Sequence, residues 1–281
     1  MANYYNTIVA ASRASNGPPI TTGAYYAFAL TELPSYNYTG ALVRLRRSSD
    51  GVEQDFYQHS TKFTLSTVRG GGTTYATWRG ASSVTVVKWY SQDGSGRYAE
   101  QTTVAKQPIF SVSGTDVTLN GLPALRFDNA NARELTLSTP VTAAESWSQI
   151  MIGKRAAVSN ALIGLTDGAG TLVYFTHWNN NAVFNKSNSG TLLSQVNDIT
   201  ATQAIWTGVM AGATRATRKN GAAIATSFTS TAVSANFTTI GRLQTVSTDG
   251  EIGCIMLWQS SINAVITTTE TNLNTLHNNI Y

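Results

Sequence analysis

Cysteine, charge and long apolar runs are all scarce in this chain. Only one of its 281 residues is a cysteine, Cys254, so an intrachain disulfide is excluded. Small secreted domains usually depend on disulfides, and the single cysteine therefore favours synthesis in a reducing cytoplasm. No run of about 18 apolar residues occurs, and no basic–apolar–small leader pattern opens the sequence. We therefore expect no membrane partner and no signal peptide.

Charged side chains make up only 12% of the residues, with 19 basic and 15 acidic groups giving a net charge of +4. Arg44, Arg46 and Arg47 are the densest basic group, whereas a nucleic-acid-binding protein shows a broader basic face. Nucleic acid is therefore not an expected partner. Long surface helices need Glu, Lys, Arg and Leu, which this composition does not supply. Exposed faces rich in Thr, Ser and Asn suit strands instead.

Short β-prone segments separated by turn signals recur along the chain. Asp50-Gly51, Asn120-Gly121 and Asn220-Gly221 each favour a tight hairpin. Across the first hairpin, Arg44 or Arg46 is expected to face Glu53 or Asp55. Many short strands joined in this way predict an all-β fold, an antiparallel sandwich.

The end of the chain predicts a strand followed by a helix. Gly250–Trp258 can be buried on both faces, which makes Cys254 a buried and inert thiol. Leu273, Leu276 and Ile280 recur at three- and four-residue spacing, and this predicts a short helix over about 267–278.

Three stretches carry a family resemblance, in chain order: residues 40–50 (GALVRLRRSSD), 88–97 (KWYSQDGSGR) and 117–127 (VTLNGLPALRF). They resemble the N-terminal part of the α-L-arabinofuranosidase B catalytic domain. They equally resemble bacteriophage virion proteins that place the same opening ahead of a jelly roll. The resemblance implies a concanavalin A-like (laminin-G-like) antiparallel β-sandwich with a short C-terminal helix. Periodicity leaves a short helix or a strand open for residues 24–30, and the resemblance implies a short helix there.

The residues divide the chain into an N-terminal segment, 1–22, which is a disordered terminus or an attachment arm, and a single body, 23–281; we expect an attachment arm. Within the body, 23–112 is arabinofuranosidase-B-like, 113–265 is the laminin-G-like sandwich and 266–281 is the C-terminal helix. The arm is set off by a double proline, a stiff spacer. Its apolar residues, Tyr4, Tyr5, Ile8 and Val9, are expected to bind a partner.

Nothing in the sequence matches the catalytic segment of the arabinofuranosidase family, in which the nucleophile follows Cys-Cys-Phe-Asp-Tyr-Gly. His59, His177 and His277 are far apart, and no nucleophile elbow or metal-binding motif accompanies them. Asp50 and Asp93 fit turn formers. We therefore expect no enzyme activity, no catalytic residue, no metal site and no cofactor, with calcium left open and unplaced.

Our leading functional hypothesis is a structural virion protein of a bacteriophage, as a decoration, collar, tail or fibre-associated subunit. Such a protein would be made in the bacterial cytoplasm and located in the virion. It would contact other virion proteins or sister subunits, as a homo-oligomer or in many copies. A carbohydrate-binding module is one alternative. A glycoside hydrolase of the arabinofuranosidase type is the second.

Two clusters are candidates for glycan binding, because aromatic faces and planar amides suit sugar rings. The first is Trp178 with His177, Asn179 and Asn180. The second surrounds the glycine-rich turn that begins after residue 90 and consists of Trp89, Tyr90 and Tyr98. Before this turn, Val84, Val86 and Lys88 are expected to alternate with Thr85, Val87 and Trp89 along a strand.

Overall fold

The computed structural model describes the chain at residue 20 and at 22–59, 64–144, 146–157, 161–167, 174–178, 181–185, 192–197, 201–212, 214–229, 235–243 and 246–281. The arm residues Tyr4, Tyr5, Ile8 and Val9 lie outside these ranges. No helix in the described ranges combines the length and the apolar character needed to span a membrane.

Short strands make up most of the first half of the chain. They are β1 (Tyr26–Ala29), β2 (Val43–Arg47), β3 (Glu53–Gln58), β4 (Leu65–Val68), β5 (Gly71–Thr74), β6 (Val84–Tyr90), β7 (Tyr98–Glu100), β8 (Ile109–Val112), β9 (Thr115–Asp116), β10 (Thr118–Leu119), β11 (Leu122–Pro123) and β12 (Leu125–Phe127). The helical segments here are α1 (Tyr75–Arg79) and the 3₁₀ turns Pro34–Tyr36 and Val104–Lys106.

Longer strands follow, and a helix closes the chain. They are β13 (Leu135–Ala143), β14 (Ser146–Arg155), β15 (Leu162–Ile163), β16 (Leu165–Thr166), β17 (Tyr174–Trp178), β18 (Asn181–Asn185), β19 (Leu192–Asn197), β20 (Ala204–Ala211), β21 (Thr214–Lys219), β22 (Ala222–Thr229), β23 (Ala235–Ile240), β24 (Arg242–Leu243), β25 (Val246–Ser247), β26 (Gly250–Trp258) and α2 (Ile266–Leu276).

Antiparallel pairing arranges most of these strands in two layers. One layer runs β3–β2–β6–β7–β13–β23–β16. In the other layer, β26 pairs with β1 and β12 along one edge and with β14 along the other, and β20, β21 and β22 follow. Strand β8 joins the layers by pairing with both β6 and β12. The expected all-β antiparallel sandwich is therefore confirmed.

The core lies between the two layers and is rich in aromatic rings. Phe28 of β1 packs against Trp89 of β6 with ring centroids 5.3 Å apart. Trp147 of β14 meets Phe237 of β23 edge-to-face at 5.1 Å. Each contact joins strands of different layers, so one continuous apolar cluster stabilises the sandwich.

Two of the three sequence-predicted turns occur as expected, whereas Asp50-Gly51 lies in a longer loop between β2 and β3 in which Gly51 but not Asp50 has positive φ. Asn120 and Gly121 join β10 to β11, and Asn220 and Gly221 join β21 to β22, all four with positive φ. Such angles define a type I′ turn, which Asn-Gly tolerates best. In the first hairpin Arg44 pairs with Asp55 and Arg46 with Glu53, as predicted.

The closing strand and helix also match expectation. Ile255 and Leu257 of β26 face the inter-layer core, while Cys254 and Met256 face a second apolar cluster beneath α2. Cys254 is a free, buried thiol, and burial raises its pKa to about 12. Strand β26 is therefore buried on both faces.

Two local expectations were wrong. The segment near residues 24–30 forms strand β1 instead of a short helix, because it pairs along the edge of β26 from Tyr26 to Ala29. Strand β6 does not alternate regularly either. Its partner β2 advances one residue, from Leu45 to Arg44, while β6 advances two, from Val86 to Lys88. This bulge puts Val84, Val86 and Trp89 in the core together.

Two residues before residue 23 also pack on the body. Ile20 is buried in the apolar cluster beneath α2. The carbonyl of Thr22 accepts a hydrogen bond of 3.2 Å from the Trp258 indole. Residues 20 and 22 are thus attached to the body.

Candidate functional site

A ladder of charges crosses the outer face of four neighbouring strands. In register, Asp55 of β3 faces Arg44 of β2, Arg44 faces Lys88 of β6, and Lys88 faces Glu100 of β7. Arg44 grips Asp55 with two hydrogen bonds of 2.9 and 2.8 Å, and Lys88 lies 3.2 Å from Glu100. Neighbouring strands hold these side chains side by side. Two of them are positive and two are negative, so their charges balance.

Two tyrosines extend the ladder toward the end of the strands. Tyr90 and Tyr98 face each other across β6 and β7 with ring centroids 6.3 Å apart. The Lys88 ammonium lies 4.0 Å from the Tyr98 ring centroid, and the Tyr90 hydroxyl donates to Asp55 at 2.9 Å. Burial, followed by the hydrogen bond to Asp55, raises the pKa of Tyr90. Both rings are half-buried, which leaves part of each surface open to a ligand.

Hydrogen bonds from its first two residues hold the loop after β6 against β1 and against the segment that follows β1. The Ser91 hydroxyl accepts from the Ala27 amide at 3.0 Å. The Gln92 amide accepts from Leu33 at 2.7 Å and donates to the carbonyls of Ala29 and Thr31 at 3.1 and 2.7 Å. Buried polar groups satisfied in this way hold a loop in one conformation.

The same loop presents an arginine to the edge of the tyrosine face. Arg97 forms an ion pair with Asp93 and lies 3.6 Å from the centroid of the Tyr25 ring. Tyr98 follows Arg97 directly and opens β7. We call Tyr25, Arg97, Tyr98 and Tyr90 the aromatic strip. Half-buried rings with charged partners between them suit the C–H faces and hydroxyls of carbohydrate.

The structure separates the residues that the sequence grouped as glycan-binding. Tyr90 and Tyr98 lie on the aromatic strip, but Trp89 is 0% exposed and points into the core. Adjacent strand residues project to opposite faces, so Trp89 cannot share the surface of Tyr90. Its expected role in glycan contact is corrected to core packing.

His177 and Trp178 belong to a different sheet. Strand β17 pairs with β15 and β18, and with β19 these strands form a separate four-stranded sheet. His177 is in register with Leu162, and Trp178 with Asn181. Asn179 and Asn180 lie outside the described residues. The two candidate clusters thus lie in different sheets.

Sequence reasoning missed several members of the site. Asp93 reads as a turn former, and neither Arg97 nor Tyr25 stands out. The available signal was the Asp-x-x-x-Arg spacing in a loop flanked by tyrosines. The contact with Tyr25 depends on how β1 packs beside this loop.

Hydrolytic chemistry at a glycosidic bond needs carboxylates, and most described ones are engaged with cations. Eleven form ion pairs with arginine or lysine: Glu32, Asp50, Glu53, Asp55, Asp93, Glu100, Asp116, Asp128, Glu134, Glu251 and Glu270. The Arg47 hydrogen bond lowers the pKa of Asp50. Burial opposes ionisation of Asp128, but hydrogen bonds from Arg133 and Asn131 outweigh it and lower its pKa.

Metal ligands are not grouped in the part of the chain that the structure describes. No three His, Cys, Asp or Glu residues there are placed to share an ion. Calcium binding, partner contacts, oligomerisation and location in the cell stay predictions.

The fold is similar to that of solved glycosidases. It superposes on an arabinofuranosidase complexed with arabinofuranosyl-α-1,2-xylobiose with a TM-score of 0.62 and 13% identity, covering 94% of this chain and 64% of the other. A GH54 α-L-arabinofuranosidase soaked with a cyclic sulfate inhibitor gives 0.60 and 13%, with coverages of 92% and 62%. The Trypanosoma rangeli sialidase in complex with sialic acid gives 0.47, at 11% identity and coverages of 69% and 31%. This chain thus spans less than two thirds of the arabinofuranosidase chains.

Neither a family model nor a curated protein matches the sequence. The similarity in fold nevertheless corrects the leading functional hypothesis. A structural virion protein without enzyme activity was expected, whereas two solved structures that share the fold over 92% or more of this chain are arabinofuranosidases. Of the two resemblances that the sequence motifs carry, the arabinofuranosidase one is supported in fold.

Proposed function

We propose that this protein is a glycoside hydrolase that acts on arabinofuranosides. The observation that carries the proposal is the extent of the fold similarity, which takes in 94% of the chain. The similar protein was solved with an arabinofuranosyl-bearing xylobiose. The aromatic strip supports the same substrate class, since it offers rings and charges that suit sugar surfaces.

Such a reaction uses two carboxylates on either side of the scissile bond, roughly 5 to 9 Å apart. The eleven carboxylates in ion pairs are poor choices for a general acid, because a cationic partner favours the ionised form. The remaining acids in the sequence are Glu145, Asp167, Asp198 and Asp249, of which Asp167 and Asp249 also interact with neighbouring groups. Asp167 directly follows β16, and Asp249 directly precedes β26. Glu145 and Asp198 lie outside the described residues.

The test is hydrolysis of 4-nitrophenyl α-L-arabinofuranoside and of arabinofuranosyl-substituted xylo-oligosaccharides by the purified chain. Glu145→Gln, Asp167→Asn, Asp198→Asn and Asp249→Asn are compared with Asp116→Asn, which only breaks an ion pair with Arg79. We expect at least one of the four changes to reduce kcat by about 10²-fold or more, as for loss of a general acid or base. Asp116→Asn should leave kcat within about twofold of wild type. Absence of turnover in the wild-type protein would overturn the proposal, whereas full activity in all four variants would exclude these four residues as the general acid.

Glycan binding without hydrolysis is the second candidate. The aromatic strip favours it, because the neighbouring carboxylates of Asp55, Asp93 and Glu100 are held by cations while its tyrosine rings remain partly exposed. Binding of arabinoxylan without turnover would select this candidate.

A further inference from the structure

Two Asn-Gly pairs occupy equivalent turns in different hairpins. Asn120-Gly121 joins β10 to β11, Asn220-Gly221 joins β21 to β22, and all four residues have positive φ. In an Asn-Gly pair the glycine nitrogen can attack the preceding side-chain amide and expel ammonia, because glycine has no Cβ to hinder the approach. Since the two turns have the same backbone geometry, their surroundings decide which of them reacts.

The side-chain amide of Asn220 is held through its oxygen. Oδ1 accepts a hydrogen bond of 2.9 Å from the backbone amide of Ile205 in the neighbouring strand β20. A donor at this oxygen stabilises the negative charge that develops on it when a nucleophile attacks Cγ, as the donors of an oxyanion hole do. The environment of Asn220 therefore favours attack on its amide.

The leaving nitrogen of Asn220 is open to solvent. Asn220 is only half-buried, and its Nδ2 is not among the enclosed polar atoms of the described residues. The carboxylate that would replace the amide can still accept from the Ile205 amide, and a charged acceptor forms the stronger hydrogen bond. Both the reaction and its product thus suit this turn.

The amide of Asn120 is held through its nitrogen instead. Nδ2 donates to the backbone carbonyls of His277 and Asn278 at 2.9 and 2.8 Å, directly after the last residue of α2. Asn278 donates from its own Nδ2 to the Asn120 carbonyl at 3.0 Å.

This clamp between the β10–β11 turn and the end of α2 opposes the same reaction. Loss of Nδ2 from Asn120 would break two hydrogen bonds. It would also place a carboxylate against two carbonyl oxygens at the negative end of a helix dipole. Asn120 is therefore protected by the C-terminal segment.

We infer that Asn220 is a site of spontaneous deamidation in the native protein, and that Asn120, in the same type of turn, is protected. A base from solvent takes the proton of the Gly221 amide, whose nitrogen then bonds to Cγ of Asn220. The Cγ–Nδ2 bond breaks, and Nδ2 takes up a proton and leaves as ammonia. Water opens the resulting cyclic imide at either carbonyl, which gives aspartate or isoaspartate. The net reaction consumes one water and releases one ammonia.

The modification would add a negative charge at the turn between β21 and β22, and isoaspartate would lengthen the backbone there by one carbon. Strand β21 carries Arg218, whose guanidinium binds Glu270 of α2 and the carbonyl of Gly221. The inference concerns the chemistry of the chain itself and is independent of the proposed function.

The test follows both Asn-Gly pairs in the full native chain during incubation at mildly alkaline pH. Peptide mapping by mass spectrometry, after digestion with pepsin in acid, measures at each site the mass gained when NH₂ is exchanged for OH. The same chain unfolded in guanidinium chloride is the control, because both pairs lose their tertiary contacts there. Asn278→Gly, verified as folded by a thermal melt, removes one hydrogen bond of the clamp while glycine tolerates the positive φ at that position.

We expect the ratio of the rate at residue 220 to the rate at residue 120 to be about tenfold or more larger in the native chain than in the unfolded chain, which corresponds to about 1.4 kcal/mol in activation free energy. Asn278→Gly should raise the rate at residue 120 and leave the rate at residue 220 unchanged. A ratio that does not change on unfolding would overturn the inference, as would a native residue 220 that stays unmodified while the unfolded chain reacts. An unchanged rate at residue 120 in Asn278→Gly would refute protection by the clamp.

Discussion

The buried ion pair between Arg218 and Glu270 joins strand β21 to helix α2. Removing Arg218 should destabilise the protein more than removing Glu270. Glu270 is 0% exposed, and its two oxygens accept three hydrogen bonds of 2.9 to 3.0 Å from Arg218. Arg218 also donates to the Gly221 carbonyl and, at 3.4 Å, to the Thr267 hydroxyl. Arg218 thus retains partners without Glu270, whereas Glu270 accepts its hydrogen bonds from Arg218 in the described part of the chain.

Arg218→Met leaves the buried carboxylate without its cation, which should reduce the free energy of unfolding by about 3–5 kcal/mol. Glu270→Leu leaves an arginine that is partly exposed and still bonded, so the loss should be smaller, about 1–3 kcal/mol. The double variant Arg218→Met/Glu270→Leu replaces the pair with apolar groups and should come within about 1–2 kcal/mol of wild type. The double change should therefore be milder than Arg218→Met alone.

Urea unfolding, monitored by tryptophan fluorescence, gives the free energy of unfolding of wild type and the three variants. The double-mutant cycle built from these values gives the coupling energy of the pair. At roughly 3 °C per kcal/mol for a chain of this size, Arg218→Met should also lower the Tm by about 10 °C. Additive losses in the double variant would refute the reasoning, because they would show that the two side chains act independently. An equal loss in both single variants would refute the argument from the retained partners of Arg218.

Three further predictions concern single side chains. Burial raises the pKa of Cys254 to about 12. The thiol should therefore not react with Ellman's reagent in the native protein at pH 8, but should react fully in guanidinium chloride. Reaction at the same rate under both conditions would contradict the burial of the thiol. Gln149 is 0% exposed, and neither the oxygen nor the nitrogen of its side-chain amide has a hydrogen-bond partner among the described residues. Gln149→Met should therefore raise the free energy of unfolding, measured by urea titration, by about 1 kcal/mol. A clear decrease in that free energy would mean that the amide is hydrogen-bonded. The pKa of Asp128 is lowered in the folded state, so its contribution to stability is present above its unfolded pKa near 3.9 and disappears as the pH falls through the folded pKa. The stability difference between wild type and Asp128→Asn should therefore be constant at pH 5–7 and narrow below about pH 4, and a difference that widens in acid would reverse the assignment.

Local rules in the sequence determined much of the fold. The Asn-Gly pairs at 120–121 and 220–221 dictate type I′ hairpins, because few other residues adopt positive φ twice in succession. The pairing of Arg44 with Asp55 follows from the hairpin turn and the period of two. The apolar run of β26 and the three- and four-residue spacing in α2 predict a buried strand and an amphipathic helix, whichever segments pack against them.

Which face of a strand is buried was decided by tertiary structure. A regular alternation along β6 would put Val84, Val86 and Lys88 on one side and Trp89 on the other. The bulge opposite β2 adds one residue, so Trp89 joins Val84 and Val86 in the core while Lys88 stays on the outer face. A bulge forms where two particular strands meet, so hydrophobic periodicity within β6 alone does not contain it.

The candidate site depends on the same kind of long-range information. The spacing of Asp93 and Arg97 is local and could be read from the loop, as could the tyrosines beside it. Their meeting with Tyr25 requires β1 to pair with β26, more than 220 residues away in sequence, and the loop to be tied to that strand through Ser91 and Gln92. Sequence patterns report each segment's own preferences, whereas contacts between distant segments arise only when the layers pack and bury their shared apolar surface.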